Sequence, residues 1–160
     1  MDFVSLLRLA YEMAEHSSTD PRTQNGAVLL TMNGRQIKGA NRLPKGVRET
    51  PDRWVKPLKY QVVEHAERNA IYRAAKLWIA TDEATMVVPW FACADCARGV
   101  IQAGIKMAVG HDAPFHNRPD WQNQIDIADQ MLKEAGVQFT RIKHKFSGIQ
   151  IRFDGVIVEP

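Results

Sequence analysis

Three side chains that bind transition metals lie at the starts of two predicted helices. His65 lies at the start of the run EHAERNAIYRAAKLW, which is predicted to form a helix that opens near Glu64. Cys93 and Cys96 lie in the first turn of a second predicted helix, which contains ADCARGVIQAG and ends at Gly104. Cysteines three residues apart share one face of a helical turn, and the positive end of the helix dipole favours thiolate over thiol. The pattern therefore predicts a fold that brings two helix N-termini to one point.

A carboxylate follows the histidine at a spacing that restricts where a metal could sit. Residues two apart on a helix point to nearly opposite sides, so His65 and Glu67 meet one ion only if it lies over the helix N-terminus. Structural zinc has four protein ligands, whereas catalytic zinc keeps three and leaves one position for water. Because the chain has a single CxxC pair and no other cysteine, the pattern predicts a hydrolytic Zn²⁺ site. Glu67 need not be a ligand there.

The segments HAERNAI and CADCA resemble the zinc-dependent cytidine and deoxycytidylate deaminase superfamily, and most of all its deoxycytidylate (dCMP) branch. The resemblance implies that His65, Cys93 and Cys96 hold the zinc. It implies that Glu67 is the catalytic residue, which takes a proton from water and passes it to the ring nitrogen and then to the departing ammonia. One departure from the family signature is Ala92, which stands where proline precedes the first cysteine.

The order of the predicted elements fits a single α/β domain over residues 1–160. A hairpin turns at Asn33-Gly34, and farther along the chain strands alternate with helices, which implies parallel pairing in that half of the sheet. The family resemblance covers roughly residues 2–140. It implies a three-layer α/β/α, cytidine-deaminase-like fold, in which a five-stranded mixed sheet lies between helices and zinc lies at two helix N-termini. Residues 145–160 are predicted to form an extra C-terminal strand pair, as an added sheet edge or an oligomer contact.

Candidate substrate contacts also follow from the resemblance. In DPRTQNGA, Arg22 occupies the position where the family's arginine meets the substrate phosphate, and Asn41 resembles the asparagine that contacts the sugar. The polar segment from Arg42 to about Val62, which contains Trp54, is predicted to be a functional loop whose aromatic residue covers a pocket.

The remaining candidates come from segments close to the metal motif. The backbone amide at Ala66 would orient the base, Trp90 and Phe91 would line the base pocket or belong to the core, and the loop that begins at His111 could reach a phosphate. The predicted substrate-binding residues are thus Arg22, Asn41, Ala66, Trp90, Phe91 and His111.

The resemblance implies deamination of a deoxycytidine nucleotide, dCMP to dUMP, with dCTP to dUTP as a second reaction. The family's recognition segment, glycine followed by tyrosine or tryptophan and then Asn-Gly, is Gly39-Ala40-Asn41-Arg42 here, so the choice between monophosphate and triphosphate stays open. A tRNA adenosine, a free base or a nucleoside remains an alternative substrate. A non-catalytic zinc or redox module is the alternative outside the enzyme class.

Composition restricts the partners. The 21 basic residues are spread among 18 acidic ones, for a net charge of +3, which makes nucleic acid an improbable partner and fits a small anionic nucleotide. We expect neither a signal peptide nor a membrane-spanning helix, and cysteines close enough to share a metal fit a reducing compartment, so the expected location is cytoplasmic. The family is usually oligomeric, so we expect a homo-oligomer, with a hexamer as the family-based expectation.

Overall fold

A five-stranded mixed sheet organises the molecule. The computed structural model describes residues 2–91 and 93–160. The strands, in the order β2-β1-β3-β4-β5, are β1 (Gly26–Leu30), β2 (Gln36–Ala40), β3 (Thr85–Val87), β4 (Met107–His111) and β5 (Gln138–Ile142). Strand β1 runs antiparallel to β2 and β3, whereas β3, β4 and β5 are mutually parallel. The predicted mixed sheet is confirmed.

Helices cover both faces of this sheet. The helices are α1 (Phe3–Ser17), α2 (Lys59–Val62), α3 (Ala66–Lys76), α4 (Ala94–Gln102) and α5 (Gln122–Glu134), with short 3-10 turns at Pro51–Trp54, Pro114–His116 and Pro119–Trp121. Alternate residues of a strand face opposite sides. Val28 and Val87 accordingly pack with α1, whereas Leu29 and Met86 pack with α3 and α4. The three-layer prediction is confirmed.

Two glycines allow helices to lie directly on the sheet. A Cβ atom on Gly39 of β2 would come within 2.1 Å of the Ala66 carbonyl oxygen, and one on Gly26 of β1 would come equally close to the Ala10 carbonyl oxygen. No side chain fits at such separations, so each close approach requires glycine. The first contact sets the N-terminus of α3 against the end of β2.

The two helices that carry the metal motif begin at its residues. His65 is the N-cap of α3 and Cys93 is the N-cap of α4. Helix α3 starts at Ala66, slightly after the predicted opening near Glu64, because Glu64 instead pairs with Arg42 through backbone hydrogen bonds of 2.8 and 3.1 Å. Past the end of α4, Gly104 takes a left-handed φ of 71°, as expected for a helix stop.

The C-terminal tail forms a separate hairpin. Strands β6 (Ile151–Phe153) and β7 (Val156–Val158) make a two-stranded sheet, rather than the added edge of the main sheet that was one expectation for this tail. The turn residues Asp154 and Gly155 have φ values of 51° and 86°, the left-handed conformation of a tight hairpin turn. Among the residues described, no helix has the length and apolar character required to cross a bilayer.

Candidate active site

The three predicted metal ligands converge in the structure. The Sγ atoms of Cys93 and Cys96 lie 3.4 and 3.5 Å from Nδ1 of His65, and the three donor atoms all lie within 4.8 Å of one another. The Cys96 backbone amide donates to the Cys93 sulfur at 3.3 Å, so the first turn of α4 holds that sulfur in place. Two helix N-termini therefore present one nitrogen and two sulfurs to one point.

The electrostatics of this cluster separate its two cysteines. A hydrogen bond from Cys96 and the neighbouring His65 ring lower the pKa of Cys93 to about 4. Burial instead raises the pKa of Cys96 well above its usual value. For His65, burial opposes the charged ring, but the hydrogen bond to Cys93 outweighs it and the pKa is raised. Of the two cysteines, Cys93 therefore forms a thiolate more readily.

Glu67 lies in the first turn of α3 with its carboxylate at the same point. The side chain is 2% exposed, and burial raises the pKa of Glu67 to about 6. Its Oε2 atom is buried and has no hydrogen-bond partner among the described residues. A buried oxygen of this kind is costly unless a ligand or water satisfies it.

The chemistry of these donors fits zinc. One neutral imidazole and two thiolates balance the charge of Zn²⁺ and match the three-ligand set of catalytic sites, which leaves a fourth position for water. The unpartnered Oε2 of Glu67 supplies an acceptor next to that position. His65, Cys93 and Cys96 are therefore positioned as zinc ligands.

A cavity that is partly open to solvent extends from the cluster to the protein surface. His65, Glu67 and Cys93 line it together with Arg22 and Arg118. Glu67 is 2% exposed whereas the Arg22 side chain is 51% exposed, so the cavity has a buried end at the metal cluster and an outer end at Arg22. The remaining lining residues are Asp20, Thr23, Asn25, Asn41, Lys56, Lys59, Tyr60, Trp90, Trp121 and Asp154.

Three of the predicted substrate contacts lie at this cavity, and a fourth adjoins it. Arg22, Asn41 and Trp90 line it. The amide of Ala66 donates to Oδ1 of Asn41 at 2.9 Å, and Nδ2 of Asn41 donates to the Thr23 carbonyl at 3.0 Å. Asn41 thus ties the N-terminus of α3 to the turn that carries Arg22.

The structure does not bring Phe91 and His111 to this cavity. Phe91 is 4% exposed and packs against Phe139 in the core, with ring centroids 5.6 Å apart. The His111 ring accepts a hydrogen bond from the Tyr11 hydroxyl at 2.5 Å and donates one to the His144 carbonyl at 2.7 Å. Both ring nitrogens are thereby used inside the fold, beneath α1 and the C-terminal tail.

Sequence reasoning missed several lining residues because they come from separate parts of the chain. In the segment 42–62, Lys56, Lys59 and Tyr60 reach the cavity, whereas Trp54, the aromatic residue expected there, is not among the lining residues. Asn25, just before β1, donates to the Trp90 carbonyl at 2.9 Å. A polar residue immediately before a buried strand was the one available indication.

Ala92, where the signature has proline, lies outside the described residues.

The chain is similar to zinc-binding deaminases. A family model for the cytidine and deoxycytidylate deaminase zinc-binding region matches residues 3–111. An uncharacterized deaminase in the luxG 3' region of Aliivibrio fischeri is 33% identical over 133 residues, which are 81% of this chain and 88% of that protein. The deoxycytidylate deaminase of Mus musculus is 30% identical over 155 residues, 92% of this chain and 84% of that enzyme.

A solved structure shares the fold. The dCMP deaminase of cyanophage S-TIM5, crystallised in complex with dCMP and dUMP, aligns with a TM-score of 0.66 and 26% sequence identity, covering 87% of this chain and 95% of that one.

Proposed function

The chain belongs to the cytidine and deoxycytidylate deaminase zinc-binding family and is a zinc-dependent deaminase, and from this premise we propose that it converts dCMP and water to dUMP and ammonia. Two similarities support this substrate. The mouse relative is a deoxycytidylate deaminase, and the cyanophage enzyme was crystallised with dCMP and dUMP. Deamination of dCTP to dUTP is a second reaction of the same class.

One observation carries the proposal, namely that a single cavity joins the metal cluster to the guanidinium groups of Arg22 and Arg118. His65 and the buried Glu67 line this cavity, and so do Arg22, whose side chain is half exposed, and Arg118. A nucleotide has the same polarity, with the base at one end and the phosphate at the other. Guanidinium groups suit phosphate because their planar N–H donors match its oxygens in pairs.

Zinc, when bound, would supply a water whose pKa is lowered from about 15.7 towards about 7. We assign the proton transfers to Glu67. Its buried, unpartnered Oε2 can accept a proton from the water and hold it for the ring nitrogen N3 of the pyrimidine. As N3 takes this proton, the oxygen of the water bonds to C4. The carboxylate of Glu67 then takes the remaining proton of that oxygen and passes it to the amino group, so that the C4–N4 bond breaks as C4=O forms and ammonia leaves.

Other residues would position the substrate. Trp90 presents an aromatic ring to the cavity, where it can pack against the base. Asn41 is held by two hydrogen bonds beside the N-terminus of α3, and an acceptor of this kind suits a sugar hydroxyl. Arg22 would meet the phosphate. Because Phe91 and His111 lie elsewhere, we propose no substrate contact for them.

A substrate panel tests the proposal. Zinc-loaded protein is supplied with dCMP, dCTP, deoxycytidine, cytidine, cytosine, guanine or a tRNA anticodon stem, and ammonia release is measured. We expect the highest kcat/KM with dCMP. A higher kcat/KM for a nucleoside, a base or the tRNA stem would contradict the proposed substrate. A higher kcat/KM for dCTP would show that the site binds more than one phosphate group.

Assembly and location belong to the same proposal. Trp78 is 96% exposed beyond the end of α3, and Leu77 and Tyr72 are also exposed, so this end offers apolar surface that a second subunit could cover. We propose a homo-oligomer, with a hexamer as the expected size, and a cytoplasmic location. Light scattering of the purified protein tests the first, and fractionation of cells that express the gene tests the second.

A further inference from the structure

The C-terminal hairpin forms part of the cavity wall. The Gln24 amide donates to the Arg152 carbonyl at 2.8 Å, and the Gly155 amide donates to the Arg22 carbonyl at 2.8 Å. Phe153 packs edge-on against Trp90, with ring centroids 4.9 Å apart. The turn of the hairpin is therefore held directly beside the turn that carries Arg22.

This arrangement places a carboxylate between two arginines of the cavity. Oδ1 of Asp154 lies 3.0 Å from Nη2 of Arg22 and 3.5 Å from Nη1 of Arg118. Asp154 is 43% exposed and Arg22 51%, whereas Arg118 is only 11% exposed. The three residues come from three distant segments, and all three line the cavity.

Two cations of the cavity have further carboxylate partners, whereas Lys56 pairs with no carboxylate in the described structure. Lys59 pairs with Asp20 at 2.7 Å, and both side chains are buried. Arg118 makes a second, two-pronged pair with Asp120, at 2.8 and 2.5 Å. The guanidinium groups of Arg22 and Arg118 are therefore already neutralised by carboxylates before any ligand arrives.

An incoming phosphate would compete with Asp154 for the same donors. A carboxylate and a phosphate are both anions, and each prefers the paired N–H groups of arginine. If they shared Arg22 and Arg118, the two like charges would repel each other across a few ångströms. An uncharged group such as a sugar hydroxyl meets no such penalty.

We propose that Asp154 is a specificity-determining residue, an internal anion that competes with the substrate phosphate for Arg22 and Arg118. The hairpin thereby weakens the binding of phosphorylated ligands relative to unphosphorylated ones. This inference rests on the proposed function, since it concerns the phosphate of the proposed substrate. It adds a contribution from the C-terminal tail to a site otherwise built from the deaminase motif and the turns around the sheet.

The substitution Asp154→Asn tests the charge without disturbing the turn. Asparagine tolerates the left-handed φ of 51° at this position as well as aspartate does. A matched control is Glu159→Gln, which removes the same charge from the same tail outside the cavity. Oε1 of Glu159 accepts a hydrogen bond from the Gly148 amide at 2.8 Å, and glutamine keeps that acceptor.

Binding of dUMP, deoxyuridine and inorganic phosphate is measured by calorimetry on the zinc-loaded proteins, so no turnover is required. We expect Asp154→Asn to bind dUMP and inorganic phosphate roughly three- to thirty-fold more tightly than Glu159→Gln, since two partly exposed ion pairs no longer compete. The affinity for deoxyuridine should be the same in both variants.

Equal or weaker phosphate and dUMP binding by Asp154→Asn would overturn the proposal and would mean that Asp154 orients the arginines instead. Failure of the proposed function is a different result, since it would be seen in wild-type protein that releases no ammonia from dCMP. Inorganic phosphate still reports on Asp154 in that case, because this probe carries no base.

Discussion

The two ends of the cavity are built in different ways. At the metal end, His65, Glu67, Cys93 and Cys96 come from the starts of two helices, and local spacing places their donor atoms within reach of one ion. The opposite end joins residues that lie far apart in the chain. Arg22 and Asp154 meet there across 132 positions.

The difference shows which features of a site can be read from a sequence. Helix geometry fixes where residues two or three apart point, so the metal end has a motif. Nothing local links Arg22, in a turn before β1, to a carboxylate in the C-terminal hairpin. We expect substitutions at the metal end to abolish activity and substitutions at the other, adaptable end to reduce it by a smaller factor. Variants at each end test this difference.

The largest effect should follow Cys96→Ala. No third cysteine exists to replace the lost thiolate, so zinc content should fall from about one ion per chain to nearly none, and activity should disappear with it. Plasma emission spectroscopy on purified protein measures the metal, and circular dichroism establishes that the variant is folded. Full zinc occupancy in the folded variant would contradict the ligand assignment.

Glu67→Gln should separate metal binding from catalysis. Glutamine keeps the shape of the side chain but cannot transfer a proton, so zinc should be retained while kcat falls by several orders of magnitude. We expect a loss beyond the roughly 10²–10⁴-fold typical of general acid–base catalysis, because one residue serves several steps.

The control for this prediction is Glu64→Gln, the same change three residues earlier, at a carboxylate that pairs with Arg68 and is not among the cavity-lining residues. It should keep most of the activity. Near-normal turnover in Glu67→Gln would remove Glu67 from the mechanism, and loss of zinc would make it a ligand or a structural residue.

Lys59→Met tests whether a buried ion pair stabilises the end of the cavity that carries Arg22. Lys59 and Asp20 form an ion pair of 2.7 Å in which the side chains are only 7% and 2% exposed. Loss of one member leaves a buried carboxylate without its partner, which typically costs about 3–5 kcal/mol of unfolding free energy.

Urea denaturation of the zinc-loaded proteins measures that loss. Lys56→Met is the matched control, since Lys56 is exposed in the same segment and pairs with no carboxylate in the described structure. Its unfolding free energy should change by no more than about 0.5 kcal/mol. Equal losses of unfolding free energy in the two variants would show that the Lys59–Asp20 pair does not stabilise the turn that carries Asp20.

Much of the fold and of the metal end could be predicted from the sequence. The alternation of strands and helices predicted the parallel half of the sheet, and the Asn33-Gly34 turn predicted the antiparallel hairpin, while the complete mixed sheet followed from the family resemblance. Gly104 marked the end of α4, because a left-handed helix stop is a local property. The start of α3 was placed slightly early. Pairing of Glu64 with Arg42 is a tertiary contact that overrides the helical pattern there.

The rest of the cavity could not be predicted because its contacts are long-range. Asp20 and Lys59 are 39 residues apart, and no local pattern in the sequence links them. His111 is the last residue of the buried strand β4, a position where ligand-binding residues occur, yet its ring nitrogens are taken by Tyr11 and the His144 carbonyl. Which side chains reach the cavity depends on which segments pack together, and that packing is a property of the folded chain.

The smallest of these effects should come from Arg22→Ala. If Arg22 meets the substrate phosphate, kcat/KM for dCMP should fall roughly ten- to hundred-fold, in line with a charge-assisted contact worth about 1.5–3 kcal/mol. Deoxycytidine lacks the phosphate, so its kcat/KM should change little. The variant should fold and keep its zinc, because Arg22 lies in an exposed turn, and Arg35→Ala in the exposed β1–β2 turn is the matched control. Equal losses for nucleotide and nucleoside would make Arg22 structural. Undiminished dCMP activity would indicate that Arg118, which pairs with the same Asp154 carboxylate, binds the phosphate instead. Arg118 would then be the next residue to replace.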